Sequence, residues 1–107
     1  MWKITKLKMM TIVKVGPPHV RVYMEYFDIG MDDIWWDEAT GTQHKFRDMT
    51  IHHIHGRGKD KDIIENLMCL QLKTHQRAHG TKDYVTPTEF QYIHNCFLTG
   101  QRKTFLK

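Results

Sequence analysis

A mixed α+β fold is expected from this sequence, and three observations carry that expectation. Residues 48–54, with Met49, Ile51 and Ile54, and residues 66–71, with an apolar stretch from Leu67 to Leu70, form two short runs of strand length on either side of a charged, glycine-containing stretch. Apolar side chains recur at spacings of three and four over 20–27 and again over 90–97, which puts them on one side of a helix. Thr86, Pro87 and Glu89 form the capping signature that starts the later helix.

The elements follow in chain order. Residues 2–15 alternate apolar and polar in part, and Ile12, Val13 and Val15 give a β-like patch that ends at Gly16-Pro17-Pro18. We take 1–18 as an N-terminal arm or short strand and 19–107 as one domain, since a chain of 107 residues suits one small core. Val20, Tyr23, Met24 and Phe27 then line one side of a short helix running to about residue 28, with Gly30 as its natural stop. Trp35-Trp36 and a turn-like Thr40-Gly41 come next, and the strand over 48–54 ends in His52-His53.

Gly56, Gly58 and the alternating charges Lys59-Asp60-Lys61-Asp62 offer no hydrophobic face, so an exposed loop should join the two strands. A short helix over 74–79 is closed by Gly80 and carries His75 and His79 one turn apart on the same face. The last helix, about 87–98, presents Phe90, Ile93 and Phe97 to the core.

Composition narrows the function classes. A hydrophobic fraction of 40% with 11% aromatics belongs to a folded chain rather than a disordered one. Cys69 and Cys96 stand far apart, which gives neither a disulfide framework nor a cysteine zinc site and fits a reducing compartment. No apolar run reaches the length of a signal h-region or a membrane span, so a soluble, cytoplasmic protein is expected. The formal charge of +4 is compatible with a polyanionic partner without requiring one. Around the histidines, over 52–82, Arg57, Lys59, Lys61, Lys73, Arg77 and Lys82 outnumber Asp60, Asp62 and Glu65.

Chemistry concentrates in the same region, where His52, His53, His55, His75 and His79 fall within 28 residues together with Asn66. In a strand the pleat sends His52 and His53 to opposite faces, so the two should do different work. The economical arrangement lets His52 join His75 and His79 around a divalent ion and leaves His53 to take a proton from water, with Asn66 orienting that base or its loop. Three neutral ligands with open positions suit hydrolysis of a phosphodiester, where an ion stabilises charge developing on the leaving oxygen.

Thr50-Ile51-His52-His53-Ile54, then Glu65-Asn66-Leu67, then His75 with His79, resembles the motif of the HNH endonucleases. The resemblance implies a ββα-metal module with flanking helices, whose core motif spans 47–80. It implies His52 as first metal ligand, His53 as general base, Asn66 as the middle asparagine and His75 as the final histidine. His79 adds a third ligand, similar to the nuclease domains of DNA-cleaving colicins, and the wider region over 20–98 resembles small phage HNH proteins. Many such relatives hold a structural zinc through two CxxC pairs. Asp37-Glu38-Ala39-Thr40 and Gln71-Leu72-Lys73-Thr74 stand in those places here, so no structural zinc held by four cysteines is expected and Trp35 and Trp36 are left to supply the packing.

The activity implied is metal-dependent cleavage of DNA, with a monomer expected to nick. Mg2+ or Mn2+ is the expected working ion, and Zn2+ or Ni2+ would also suit three imidazoles. DNA is the expected partner, with Arg57, Lys59, Lys61, Lys73 and Arg77 as phosphate contacts, either alone or within a larger phage or mobile-element assembly. The competing class is a non-catalytic nucleic-acid-binding or virion-associated protein that keeps the fold, and a metal-dependent RNase is a third. His19, His44 and His94 are assigned to core packing or surface, His55 equally to substrate contact or to loop, and Cys69 to a buried small residue.

Overall fold

The computed structural model describes residues 17–80 and 82–107. The arm or strand expected over 2–15 lies outside the described residues. The described chain is α+β, with two separate two-stranded antiparallel sheets and three α-helices.

Helix α1 (Pro18–Phe27) starts with proline at its first turn, where a missing N–H costs nothing. It closes ahead of the glycine expected to stop it. Asp28 takes the left-handed conformation instead, at φ 54°, which aspartate tolerates better than most side chains. The Gly30 N–H is bound by the Asp33 carboxylate at 2.7 Å. Strands β1 (Ile34–Trp36) and β2 (Gln43–Lys45) then form a hairpin around the anticipated turn. Gly41 there has φ 78°, and a Cβ on it would stand 3.1 Å from the backbone of Lys103, so glycine is required on two counts.

Strands β3 (Thr50–His53) and β4 (Leu67–Leu70) pair antiparallel, with His52 opposite Met68 and His53 opposite Leu67. Both are shorter than the spans the sequence suggests because 3-10 turns, Phe46–Asp48 and Ile64–Asn66, take up the residues before them. All four residues of β4 are buried, and its faces serve different cores. Leu67 and Cys69 join Ile51, Tyr23, Met24 and Phe46 against α1. Met68 and Leu70 join Ile54, Val85, Phe90 and Ile93 on the other side. Each fully buried side chain of this kind contributes about 1.5–3 kcal/mol.

Helix α2 (Leu72–His75) begins two residues earlier than the sequence suggests and continues as a 3-10 helix, Gln76–His79, before Gly80 turns left-handed. Helix α3 (Pro87–Leu98) has the full capping box, with the Thr86 hydroxyl accepting from the Glu89 N–H and the Glu89 carboxylate accepting from the Thr86 N–H. No helix among the described residues is long and apolar enough to cross a membrane.

Two buried carboxylates tie the layers together. Asp37 caps its own turn by accepting from the Ala39 and Thr40 N–H groups, each at 3.0 Å. Its other oxygen accepts from the Gln71 N–H at 3.0 Å and the Thr74 hydroxyl at 2.7 Å. The segments 37–40 and 71–74 are thus joined by hydrogen bonds through one carboxylate. Glu38 accepts from the Tyr23 hydroxyl and the Cys69 N–H, and pairs with His94 Nδ1 at 2.6 Å. Trp35 and Trp36 pack with Phe27 and Phe97, capped by the Arg102 guanidinium 3.7 Å from the Phe97 ring centre.

Candidate active site

The strand pleat separates the adjacent histidines as their alternation requires. His52 points to the α2 side, its ring centre 4.6 Å from that of His75 and 5.3 Å from that of Phe90. His75 in turn lies 5.5 Å from His79 by the same measure. The rings of His52, His75 and His79, with Ile51, His53, Gly56 and Arg57, line a cavity of about 270 Å3.

Burial, then the neighbouring His75, His79 and His53, lower the His52 pKa to about 4. Burial, His79, Arg57 and His53 also lower that of His75. His52 is therefore a neutral imidazole at pH 7, with a lone pair that no proton contests. For His75 the free atom can be named. The Thr50 hydroxyl spends its single proton on the Leu70 carbonyl at 3.0 Å, so its contact of 3.1 Å with His75 must be an N–H donated by Nδ1. Nε2 is left to act as a ligand, held in orientation by Thr50.

His53, on the opposite face of β3, contacts Asp62 through Nε2 at 2.8 Å and faces the ring of His19 at 4.5 Å between centres. Neither neighbour carries a sequence signal. His19 is separated from His53 by 34 positions, and Asp62 is one of four alternating loop charges. Burial, His53 and Arg57 lower the His19 pKa against an opposing pull from Asp62. Among the described residues, His19, His53 and Asp62 are the donors whose ligand atoms all lie within 4.8 Å of one another, and this cluster could hold a metal ion. Ligand atoms of His52, His75 and His79 are less tightly drawn together, although their rings border one cavity.

Comparison with protein-family models, with curated proteins and with solved structures finds no match.

Asn66 acts on the loop. Its side-chain oxygen accepts from the His55 N–H at 2.8 Å, and its amide nitrogen donates to the carbonyls of Gly56 at 3.2 Å and Lys61 at 3.0 Å. Three bonds from one buried side chain close residues 55–61 into a fixed excursion, which holds Arg57 at the cavity and brings Asp62 back to His53. His55 turns away to pair with Gln91 of α3 at 3.0 Å.

The basic residues divide. Arg57 borders the histidine cavity and also an adjoining groove of about 620 Å3 over Val20, Met31, Phe46 and Met49. Lys59 and Lys61 are exposed on the loop. Lys73 and Arg77 do not reach the histidines; with Lys82 and Lys107 they line a separate pocket of about 630 Å3 beside Thr74. The helical turn accounts for this, because over α2 and the 3-10 helix that continues it positions 73 and 77 stand about half a turn away from 75 and 79.

Proposed function

We propose that this chain is a metal-dependent endonuclease of the HNH type, with a ββα-metal module built from β3, β4 and α2, acting on DNA. The observation that carries the proposal is the shared cavity, where imidazoles of unlike surroundings meet beside an arginine. His52, His75 and His79 would hold a divalent ion, Mg2+ or Mn2+ in function. They suit one because His52 is neutral and His75 presents Nε2. Such an ion polarises a phosphate oxygen and stabilises charge on the leaving 3′ oxygen.

The chain's own residues do the rest. Asp62 accepts Nε2–H of His53 and so leaves Nδ1 as the proton acceptor for an attacking water. Arg57 meets a phosphate at the cavity edge, and Asn66 keeps the loop carrying Arg57 in place.

A second reading, a non-catalytic nucleic-acid-binding protein, draws on the basic pocket of Lys73, Arg77, Lys82 and Lys107, whose lining contains none of the histidines. Supercoiled plasmid incubated with Mg2+ or Mn2+ separates the two. The wild type should produce nicked circles that EDTA abolishes, and His53→Ala should slow the reaction by about 10²–10⁴-fold while still binding DNA. Equal absence of nicking from both folded proteins overturns the nuclease reading, and cleavage confined to structured RNA in the same buffer would redirect it to an RNase.

A further inference from the structure

His53 belongs to two environments at once. One face of its surroundings is the cavity shared with His52, His75 and His79, and the other is the contact with His19 and Asp62. His19 is fixed in the first turn of α1, His53 ends β3, and Asp62 ends the loop that Asn66 closes, so three separate elements bring the donors to within 4.8 Å. The two histidines are buried and the Asp62 side chain is 42% exposed, which leaves an approach from solvent on the carboxylate side.

Two imidazoles and one carboxylate with room for water form a ligand set of the kind that open zinc sites use. Mg2+ prefers oxygen ligands and keeps much of its water, so a set two-thirds nitrogen discriminates against it.

We propose that His19, His53 and Asp62 form a second divalent-metal site, selective for Zn2+-class ions over Mg2+, and that filling it switches the nuclease off by occupying the ring that must accept the proton. The site stands independently of the nuclease reading; the switch rests on it. The proton count is simple. Without metal, His53 gives its Nε2–H to Asp62 and keeps a lone pair on Nδ1. An ion bound at Nε2 takes that proton's place, and the neutral ring then carries its single proton on Nδ1. No proton is lost to solvent, Asp62 exchanges a hydrogen bond for an ion contact, and no lone pair remains for water. Were Nδ1 the bound atom, the lone pair would be consumed directly. Mn2+, which three imidazoles hold better than Mg2+, would support cleavage at the His52 set, and Zn2+ at the His19 set would suppress it.

Zinc binding is measured by competition with a chromophoric chelator for the wild type, His19→Ala, Asp62→Asn and His75→Ala, each first shown by circular dichroism to be folded. In parallel, Mn2+-supported plasmid nicking is followed at rising free Zn2+, every rate taken relative to the same protein without zinc. The wild type should bind two ions and each variant one. His19→Ala should weaken its site by more than about 100-fold, since loss of an outer-shell partner alone costs about 10–100-fold. The zinc needed for half-inhibition should rise at least about 10-fold in His19→Ala. Asp62→Asn keeps a hydrogen-bond acceptor for His53 and carries the test if His19→Ala does not fold. Two ions bound by both variants overturn the site, and a lost ion with unchanged inhibition overturns the switch. If no metal supports nicking, the nuclease reading fails and the zinc count alone decides the site.

Discussion

Replacing Asp37 by alanine removes one fully buried carboxylate and strands four donors at once: the N–H groups of Ala39, Thr40 and Gln71 and the hydroxyl of Thr74. A hydrogen bond to a charged acceptor contributes about 1.5–3 kcal/mol, so the gross loss is roughly 6–12 kcal/mol. Part of this returns, because the variant no longer strips water from a carboxylate, an effect of several kcal/mol. A net loss on the order of 4 kcal/mol follows, against a total stability of about 5–15 kcal/mol for a domain. In a chain of this size that lowers Tm by roughly 15–25 °C. Thr74→Val gives the scale, because it removes a single one of the four bonds and should cost about 1.5–3 kcal/mol. The assay is urea and thermal denaturation followed by circular dichroism, with no metal added. An Asp37→Ala protein within about 1 kcal/mol of the wild type would refute the reasoning and move the junction between the 37–40 and 71–74 segments elsewhere.

Three further predictions concern other polar contacts. Burial opposes charge on His94, but the hydrogen bond and charge of Glu38, then the Ile64 carbonyl and Glu65, outweigh it and raise the pKa above 6.5. Both ring nitrogens point at acceptors, so the folded state holds the proton; this stabilisation is complete below pH 6.5 and is lost as pH rises through the folded pKa. Urea titrations between about pH 5 and 9 should show that decline in the wild type and a flatter profile in His94→Gln. Thr50→Val removes the partner that orients His75, and the Mn2+ needed for half-maximal nicking should rise by about 10–100-fold with little change in saturated rate. Asn66→Ala leaves residues 55–61 without their three ties, so limited trypsin should cut at Lys59 or Lys61 much faster than in the wild type.

What the sequence makes legible here is what short-range physics decides. The start of α3 is set within four residues by Thr86, Pro87 and Glu89, and it lies where the spacing puts it. Opposite fates for His52 and His53 follow from the pleat of a strand, whatever surrounds it. The end of α1 falls at the position the spacing indicates, but Asp28 makes the stop through an uncommon backbone conformation instead of Gly30 two residues further on. His19 is illegible as a partner of His53 because their contact depends on how α1 crosses β3, which no local spacing encodes. The same holds for Lys73 and Arg77. They sit close to His75 in sequence, yet the helix turns them to another surface. Asp37 and Glu38 look like ordinary loop acids until the packing of Tyr23, Cys69, Thr74 and His94 around them shows both to be interior.

The Asp37 junction also separates two things that metalloproteins of this size often combine. A chain whose segments are knotted by a bound ion cannot be freed of metal without coming apart, so its chemistry and its shape respond to the same reagent. Here the knot is a set of hydrogen bonds that no chelator removes. A metal bound at the histidines, as proposed, would therefore be open to withdrawal, exchange for a spectroscopic substitute and return while the scaffold stays assembled.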